Sequence, residues 1–235
     1  MRIRIHELIL YRNFDDTIFK TMAHAANAYD DPKTDREALV DDIYSCINGL
    51  VTIARDHGFS GNLWHGYLTY LLTTNENAFS MSCEKTGAIQ GSLNTLALHD
   101  LQIFYEAYHM DWSAVEKLLG IHFLSLMSSY EGNRGKGVVY SRSLCERIET
   151  LNMLLAQAGD AQNMYRALTD FYKDYGVGKY GLHRAFKIIK QGEDTVISPI
   201  TKTEKVTLDD LVGDELQKKK LVDNTLAFVQ GQRAN

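Results

Sequence analysis

Apolar positions along most of this chain recur at helical spacing. Leu39, Ile43, Ile47, Leu50 and Ala54 fall three or four residues apart, which places them on one side of a helix ending near His57-Gly58. Upstream, Leu8, Ile9, Phe14, Ile18, Phe19 and Met22 form the apolar set of residues 5–28. The polar run Asn13-Phe14-Asp15-Asp16 interrupts that set, so two short helices are expected there. Thr34 with Glu37 has the spacing of a capping box, in which each side chain satisfies a free backbone N–H at a helix start. Gly61-Asn62 opens a helix with Leu63, Trp64, Tyr67, Leu68 and Leu71 inward. A shorter, more polar helix is expected over 76–85 and a longer one over 96–109, with Leu98, Leu101, Phe104, Tyr105 and Tyr108 inward. Asp111 is placed to cap a start at Trp112. Ser113 with Glu116 repeats the capping-box spacing, and Gly120 separates this helix from 122–127.

Residues 130–140 form a glycine-rich stretch. Ser143 with Glu146 then opens a stripe of Leu144, Ile148, Leu151, Leu155 and Ala158. After Gly159-Asp160, a second stripe runs through Met164, Leu168, Phe171 and Tyr175. Two such helices joined by so short a turn predict an antiparallel helical hairpin. The period then changes. Residues 185–190 and 195–199 flank Gln-Gly-Glu-Asp and read as two strands of a β hairpin. The polar stretch 201–204 leads to a last helix, with Leu221, Val222, Leu226, Phe228 and Val229 on one side and Lys218, Lys219 and Lys220 on another; Gly231 ends it. The expected fold is mainly α: a multi-helix bundle, with room for stacked helical hairpins, then a small β hairpin and a C-terminal helix. The expected division is a helical domain over 1–180, a hairpin and linker over 181–204, and a separate terminal segment over 205–235.

Composition narrows the function classes. The 235 residues are 45% hydrophobic and 23% charged, which is ordinary for a globular chain. A net charge of −5 provides no basic field, so nucleic-acid binding is not indicated. Three cysteines, Cys46, Cys83 and Cys145, lack C-x-x-C spacing and fit free thiols in a reducing cytosol. The N-terminus lacks the apolar core of a signal peptide, and no run reaches the ~18 apolar residues of a membrane span. A soluble cytoplasmic protein is expected.

Few residues suggest chemistry. Gly176-Val177-Gly178-Lys179 imitates a P-loop, but Tyr180 stands where a hydroxyl residue would hold magnesium, and Lys173 stands where a further glycine is needed. The Gly132–Gly137 stretch has Lys136 with no hydroxyl after it. Both read as turns. Glu106-x-x-His109 has the spacing used in di-metal bundles, but no second copy is present. A metal-dependent bundle enzyme therefore stays a lesser alternative, with no metal ligand assigned. His65, His99 and His122 lie in apolar helices and read as hydrogen-bonded histidines. Cys83, beside Lys85, has a neighbouring cation that could activate its thiol. No catalytic residue is assigned.

The end of the chain carries a resemblance. Thr207, Asp209-Asp210, Leu211-Val212-Gly213 and the following helix to Ala234-Asn235 resemble the lead-in to an AAA-type ATPase module. The nearest likeness is to bacterial AAA-type ATP-binding proteins of uncharacterised function. The Gly176–Arg184 junction and the Gly61–Trp112 region are similar to that family too. The resemblance implies an N-terminal part of a longer ATPase, interrupted just before the P-loop. It implies that Leu211, Val212 and Gly213 contact adenine, with no cofactor held by these residues alone and ATP and magnesium used by the full-length protein. It also implies a protein partner for the helical domain and homo-oligomers formed through the ATPase module. The alternative is a self-contained helical protein-interaction module.

Overall fold

The computed structural model describes residues 2–12, 17–88, 91–132, 142–183, 186–191, 194–200, 208–210 and 212–231. A single 3-10 turn, Ile5–Glu7, precedes the helices α1 (Thr17–Ala28), α2 (Arg36–His57), α3 (Leu63–Thr74), α4 (Ala78–Thr86) and α5 (Ser92–Tyr108). Next come α6 (Trp112–Leu119), α7 (Leu124–Ser128), α8 (Arg142–Ala156), α9 (Ala161–Tyr175) and α10 (Gly178–Leu182). The strands β1 (Phe186–Gln191) and β2 (Asp194–Pro199) follow, then a 3-10 turn, Leu208–Asp210, and α11 (Glu215–Val229). The protein is mainly α. Contacts divide the chain into two compact units, Met1–Thr201 and Lys202–Asn235.

The first unit is built on α3 and α9. Helix α3 packs against α2, α5, α7, α8 and α10, and α9 packs against α4, α5 and α8. The expected α8–α9 hairpin is present, and it is wedged against the upstream helices α3, α4 and α5. Its stripe residues Leu151, Leu155, Met164 and Leu168 are buried. So are Leu39, Ile43, Leu50 and Ala54 of α2, as their spacing requires. Each such side chain contributes about 1.5–3 kcal/mol by leaving water. Phe19 stacks on Phe104 with ring centroids 5.4 Å apart, and Trp64 meets Trp112 edge-on at 5.5 Å. Trp64 and Trp112 therefore anchor the core.

Helix ends are satisfied by side chains. Trp64 Nε1 donates to the Ala107 carbonyl at 2.8 Å, and the Tyr108 carbonyl accepts from His65 Nε2 at 2.9 Å. Both acceptors lie in the last turn of α5, where carbonyls lack helical partners. Two expected caps fall elsewhere. Asp35, not Thr34, caps α2, accepting the N–H of Glu37 at 3.0 Å and of Ala38 at 3.2 Å. Asp111 caps α6 as expected. Glu116, however, turns away to accept the N–H groups of Phe123 at 2.7 Å and Leu124 at 3.1 Å, at the start of α7. Asn77 with Ser80 makes a true capping box at α4. Ser143 lies inside α8.

The strands pair antiparallel, with Ile188 opposite Ile197 and Phe186 opposite Pro199. Their bounds fall within one residue of those expected from sequence.

Candidate functional site

Of the residues implied to touch a nucleotide, Leu211 lies outside the described residues. Val212 is 100% exposed. Gly213 has φ +89°, and a Cβ there would meet nothing within 4 Å. Asp214 follows with φ 56°, the one non-glycine residue with positive φ among those described. Aspartate tolerates this left-handed conformation better than most residues. Its carbonyl then accepts the N–H groups of Gln217 at 3.0 Å and Lys218 at 2.9 Å, which starts α11. Two consecutive left-handed residues thus turn the chain sharply and leave the Val212 side chain in open solvent. Leu208, Val212, Gly213, Lys219, Val222 and Asp223 line an open recess beside this turn.

Helix α11 has no buried residue. Leu216 is 75% exposed, Phe228 73% and Val229 74%; Leu221 and Leu226 are exposed as well. An ion pair, Lys218 Nζ to Glu215 Oε1 at 2.9 Å, supports its first turn. Gly231, with φ 70°, follows the helix as its position in the sequence predicts. The turn and α11 offer an apolar side chain, a close backbone approach at Gly213 and an uncovered apolar helix. Among the described residues no group of three or more His, Cys, Asp or Glu side chains could hold a metal ion.

The other candidates have structural partners. Gly176 closes α9 with φ 77° and ψ −175°. A Cβ on it would come within 2.7 Å of Gly181 Cα, so Gly176 and Gly181 serve close backbone packing. Val177 N–H donates to Glu84 Oε2 at 3.3 Å. This loop binds its own chain, but it is not wholly a turn: Gly178 and Lys179 open α10. The other glycine-rich stretch lies outside the described residues except at Gly132. Glu106 is held by Arg4, whose Nη2 and Nε donate to its two oxygens at 2.8 and 3.2 Å. His109 Nδ1 contacts the Tyr105 carbonyl at 2.9 Å. His99 Nε2 contacts the Glu7 carbonyl at 3.0 Å. His122 presents its backbone carbonyl to the Tyr44 hydroxyl, at 3.4 Å. The activated-thiol reading of Cys83 is corrected. Cys83 is buried in α4, and desolvation pushes its thiol up to about 11, so the neighbouring Lys85 does not activate it. All three cysteines are buried and none is in a disulfide.

Several polar residues that organise the structure carry no local sequence signal. Asp100 is fully buried and accepts the N–H groups of Ile9, Leu10 and Tyr11. Tyr172 donates to the Leu72 carbonyl at 2.7 Å and accepts from the Tyr11 hydroxyl at 2.9 Å. His57 lies between Phe59 and Tyr70, with ring centroids 5.9 and 4.5 Å away, and its pKa is lowered to about 4, chiefly by burial. Thr69 joins Tyr108 and Asn152 in a buried polar cluster. Near the N-terminus, His6, Arg12, Lys20 and His24 line one recess. Only the pair Lys20 and His24, four apart on one helix, is adjacent by sequence rule.

No helix among the described residues is long and apolar enough to cross a membrane. Comparison with curated proteins and with solved structures gives no match. One family matches, described as "Protein of unknown function (DUF815)", over residues 182–235, the stretch that holds the β hairpin, the Val212-Gly213 turn and α11.

Proposed function

We propose that this chain is the N-terminal accessory region of an AAA-type ATPase. Its helical unit binds a partner or substrate protein. Residues 205–235 lead into a nucleotide-binding module, and Val212 and Gly213 receive the adenine. ATP hydrolysis belongs to that module, where a P-loop lysine, magnesium and a water-positioning acid supply the chemistry. The observation that supports this reading is α11, a fifteen-residue helix with no buried residue and several large apolar side chains in water. Helices of this length are marginal in isolation and draw most of their stability from packing. A neighbouring module that covers α11 and closes on Val212 accounts for both. The likeness of residues 205–235 to an AAA lead-in supplies its identity.

The experiment is to read the gene beyond codon 235. An apolar strand followed by G-x-x-x-x-G-K-[ST] supports the proposal. Nucleotide binding by the longer protein should then weaken on Val212→Asp, because a carboxylate would replace the apolar contact to the base. An immediate stop codon overturns the ATPase reading. The exposed face of α11 would then favour the second reading, a helical protein-interaction module that docks through that helix.

A further inference from the structure

The first unit holds a recess of about 540 Å³ unrelated to the Val212 turn. Its floor is apolar, formed in part by the buried Leu8 and Ala23. His6 reaches it from the N-terminal 3-10 turn, Arg12 from the chain after that turn, and Lys20 and His24 from successive turns of α1. All four basic side chains are exposed at its rim, and no carboxylate is among the described residues that line it. The chain as a whole has 30 acidic and 25 basic residues, so a lining whose described charged side chains are all basic runs against its composition.

The neighbouring polar groups are already engaged. Glu7, the nearest acid in the 3-10 turn, pairs with Arg4 at 3.0 Å. Asn27, also in the lining, exchanges two hydrogen bonds of 2.9 Å with the backbone of Ile3. That clasp fixes α1 against the N-terminal segment and so fixes the walls of the recess. Among the described residues, Arg12 and Lys20 form no ion pair with a carboxylate. Two permanent cations and two imidazoles facing one cleft focus positive potential there. Arginine and lysine side chains suit phosphoryl oxygens, and each imidazole adds an N–H donor. The volume falls in the range of about 300–1,000 Å³ typical of small-molecule sites.

We propose that this recess binds a small phosphate monoester. Arg12 and Lys20 hold the phosphoryl group, His6 and His24 donate to it, and the organic part rests on Leu8 and Ala23. The site is independent of the adenine contact assigned to Val212.

The test titrates the 235-residue chain with phenyl phosphate and, separately, with inorganic phosphate, following the imidazole proton signals of His6 and His24 by NMR. Phenyl phosphate is expected to shift both signals with a dissociation constant below about 1 mM. Inorganic phosphate should bind more weakly, since it makes no use of the floor. The double variant R12Q/K20Q should weaken phenyl phosphate binding by at least about tenfold, the effect of losing charge-assisted hydrogen bonds. Both substituted residues are exposed, and an unchanged circular dichroism spectrum with an unchanged Tm checks the fold. No shift at either histidine up to about tenfold above that range, or an undiminished response in R12Q/K20Q, overturns the proposal. Equal affinity for the two anions overturns the assignment to a monoester. Binding seen only after D15N/D16N also overturns it, because the chain's own carboxylates would then be the occupant.

Discussion

The carboxylate of Asp100 accepts the backbone N–H of Leu10 at 2.7 Å, across ninety residues of sequence. The same group takes the N–H of Ile9 at 2.9 Å and of Tyr11 at 2.9 Å. Three successive backbone donors thus converge on one fully buried acid of α5. Asp100→Ala would strand these donors, at about 1–3 kcal/mol for each one that water cannot reach. Urea unfolding should show a loss of about 3 kcal/mol or more. Asp100→Asn keeps one acceptor oxygen and turns an N–H₂ toward the donors, so it should fall between wild type and alanine. A wild-type midpoint in Asp100→Ala would mean that the N-terminal segment is not held this way in solution.

Tyr172 supports a second long-range tie. Its hydroxyl donates to Leu72, whose carbonyl lies in the last turn of α3, and accepts from Tyr11. Tyr172→Phe leaves that carbonyl and the Tyr11 hydroxyl without this partner, and Tyr11→Phe removes the shared bond together with the one to Asn77. A loss of about 2 kcal/mol is expected for each variant from denaturant midpoints. The double variant should cost less than their sum, because both changes remove the shared bond.

Much of this architecture can be read locally. The stripe Leu39-Ile43-Leu50-Ala54 and the two stripes of α8 and α9 specify helices because burial follows the 3.6-residue period, and each is buried as its spacing requires. The hairpin was legible from the change of period at Phe186. Caps were less so: Thr34 and Asp35 are both good cap residues, and the capping-box spacing to Glu37 points to Thr34 whereas the chain uses Asp35. The chemistry of long-range partners was not legible at all. Asp100 looks like any helix aspartate until residues 9–11 arrive. Cys83 looked activated because Lys85 is two residues away, while burial, a property of the fold, determines its pKa. The recess at Arg12 gathers side chains from three segments and leaves no motif.

Glycine substitutions should separate the two units. Gly176 has φ 77° with ψ −175°, a region open essentially only to glycine, and the Gly181 backbone crowds it. Gly176→Ala should destabilise the first unit by about 3 kcal/mol, combining backbone strain with steric displacement. Gly213 also has positive φ but has open space around it. Gly213→Ala should leave the main thermal transition unmoved, its cost of about 1 kcal/mol being local to the turn. Differential scanning calorimetry of the two variants checks both statements.

His57 predicts a pH dependence. Its folded pKa is lowered to about 4, first by burial and also by His183, with Asp56 acting the other way. In the unfolded chain the imidazole protonates near the ordinary value of about 6.5. Between these values the unfolded state binds more protons, so stability rises with pH through the window. The contribution is full above about pH 6.5 and is lost as pH falls toward 4. Desolvation lowers the pKa of His65 as well, which adds slope of the same sign. Lowering the pH from 7 to 5.5, above most carboxylate titration, should cost about 1 kcal/mol from His57 alone. His57→Gln should remove most of that difference, leaving the part due to His65. An unchanged slope in His57→Gln would place the titration elsewhere.

The uncovered helix α11 gives the sharpest contrast between the units. Leu168 of α9 is fully buried, and Leu168→Ala should cost about 2–5 kcal/mol through lost transfer energy and the cavity left behind. Phe228 is larger but 73% exposed, so Phe228→Ala should change the stability of the 235-residue chain by less than about 0.5 kcal/mol. Amide exchange should follow the same division, with α9 protected close to global unfolding and α11 exchanging through local opening. In a longer protein in which a nucleotide-binding module covers α11, Phe228→Ala should become costly, because the same ring would then lie in an interface. Equal insensitivity in both contexts would leave that face without an occupant and remove the main support for the ATPase reading. A large loss in the 235-residue chain itself would instead mean that α11 already packs against this chain or a second copy, and gel filtration of the variant would tell those two apart.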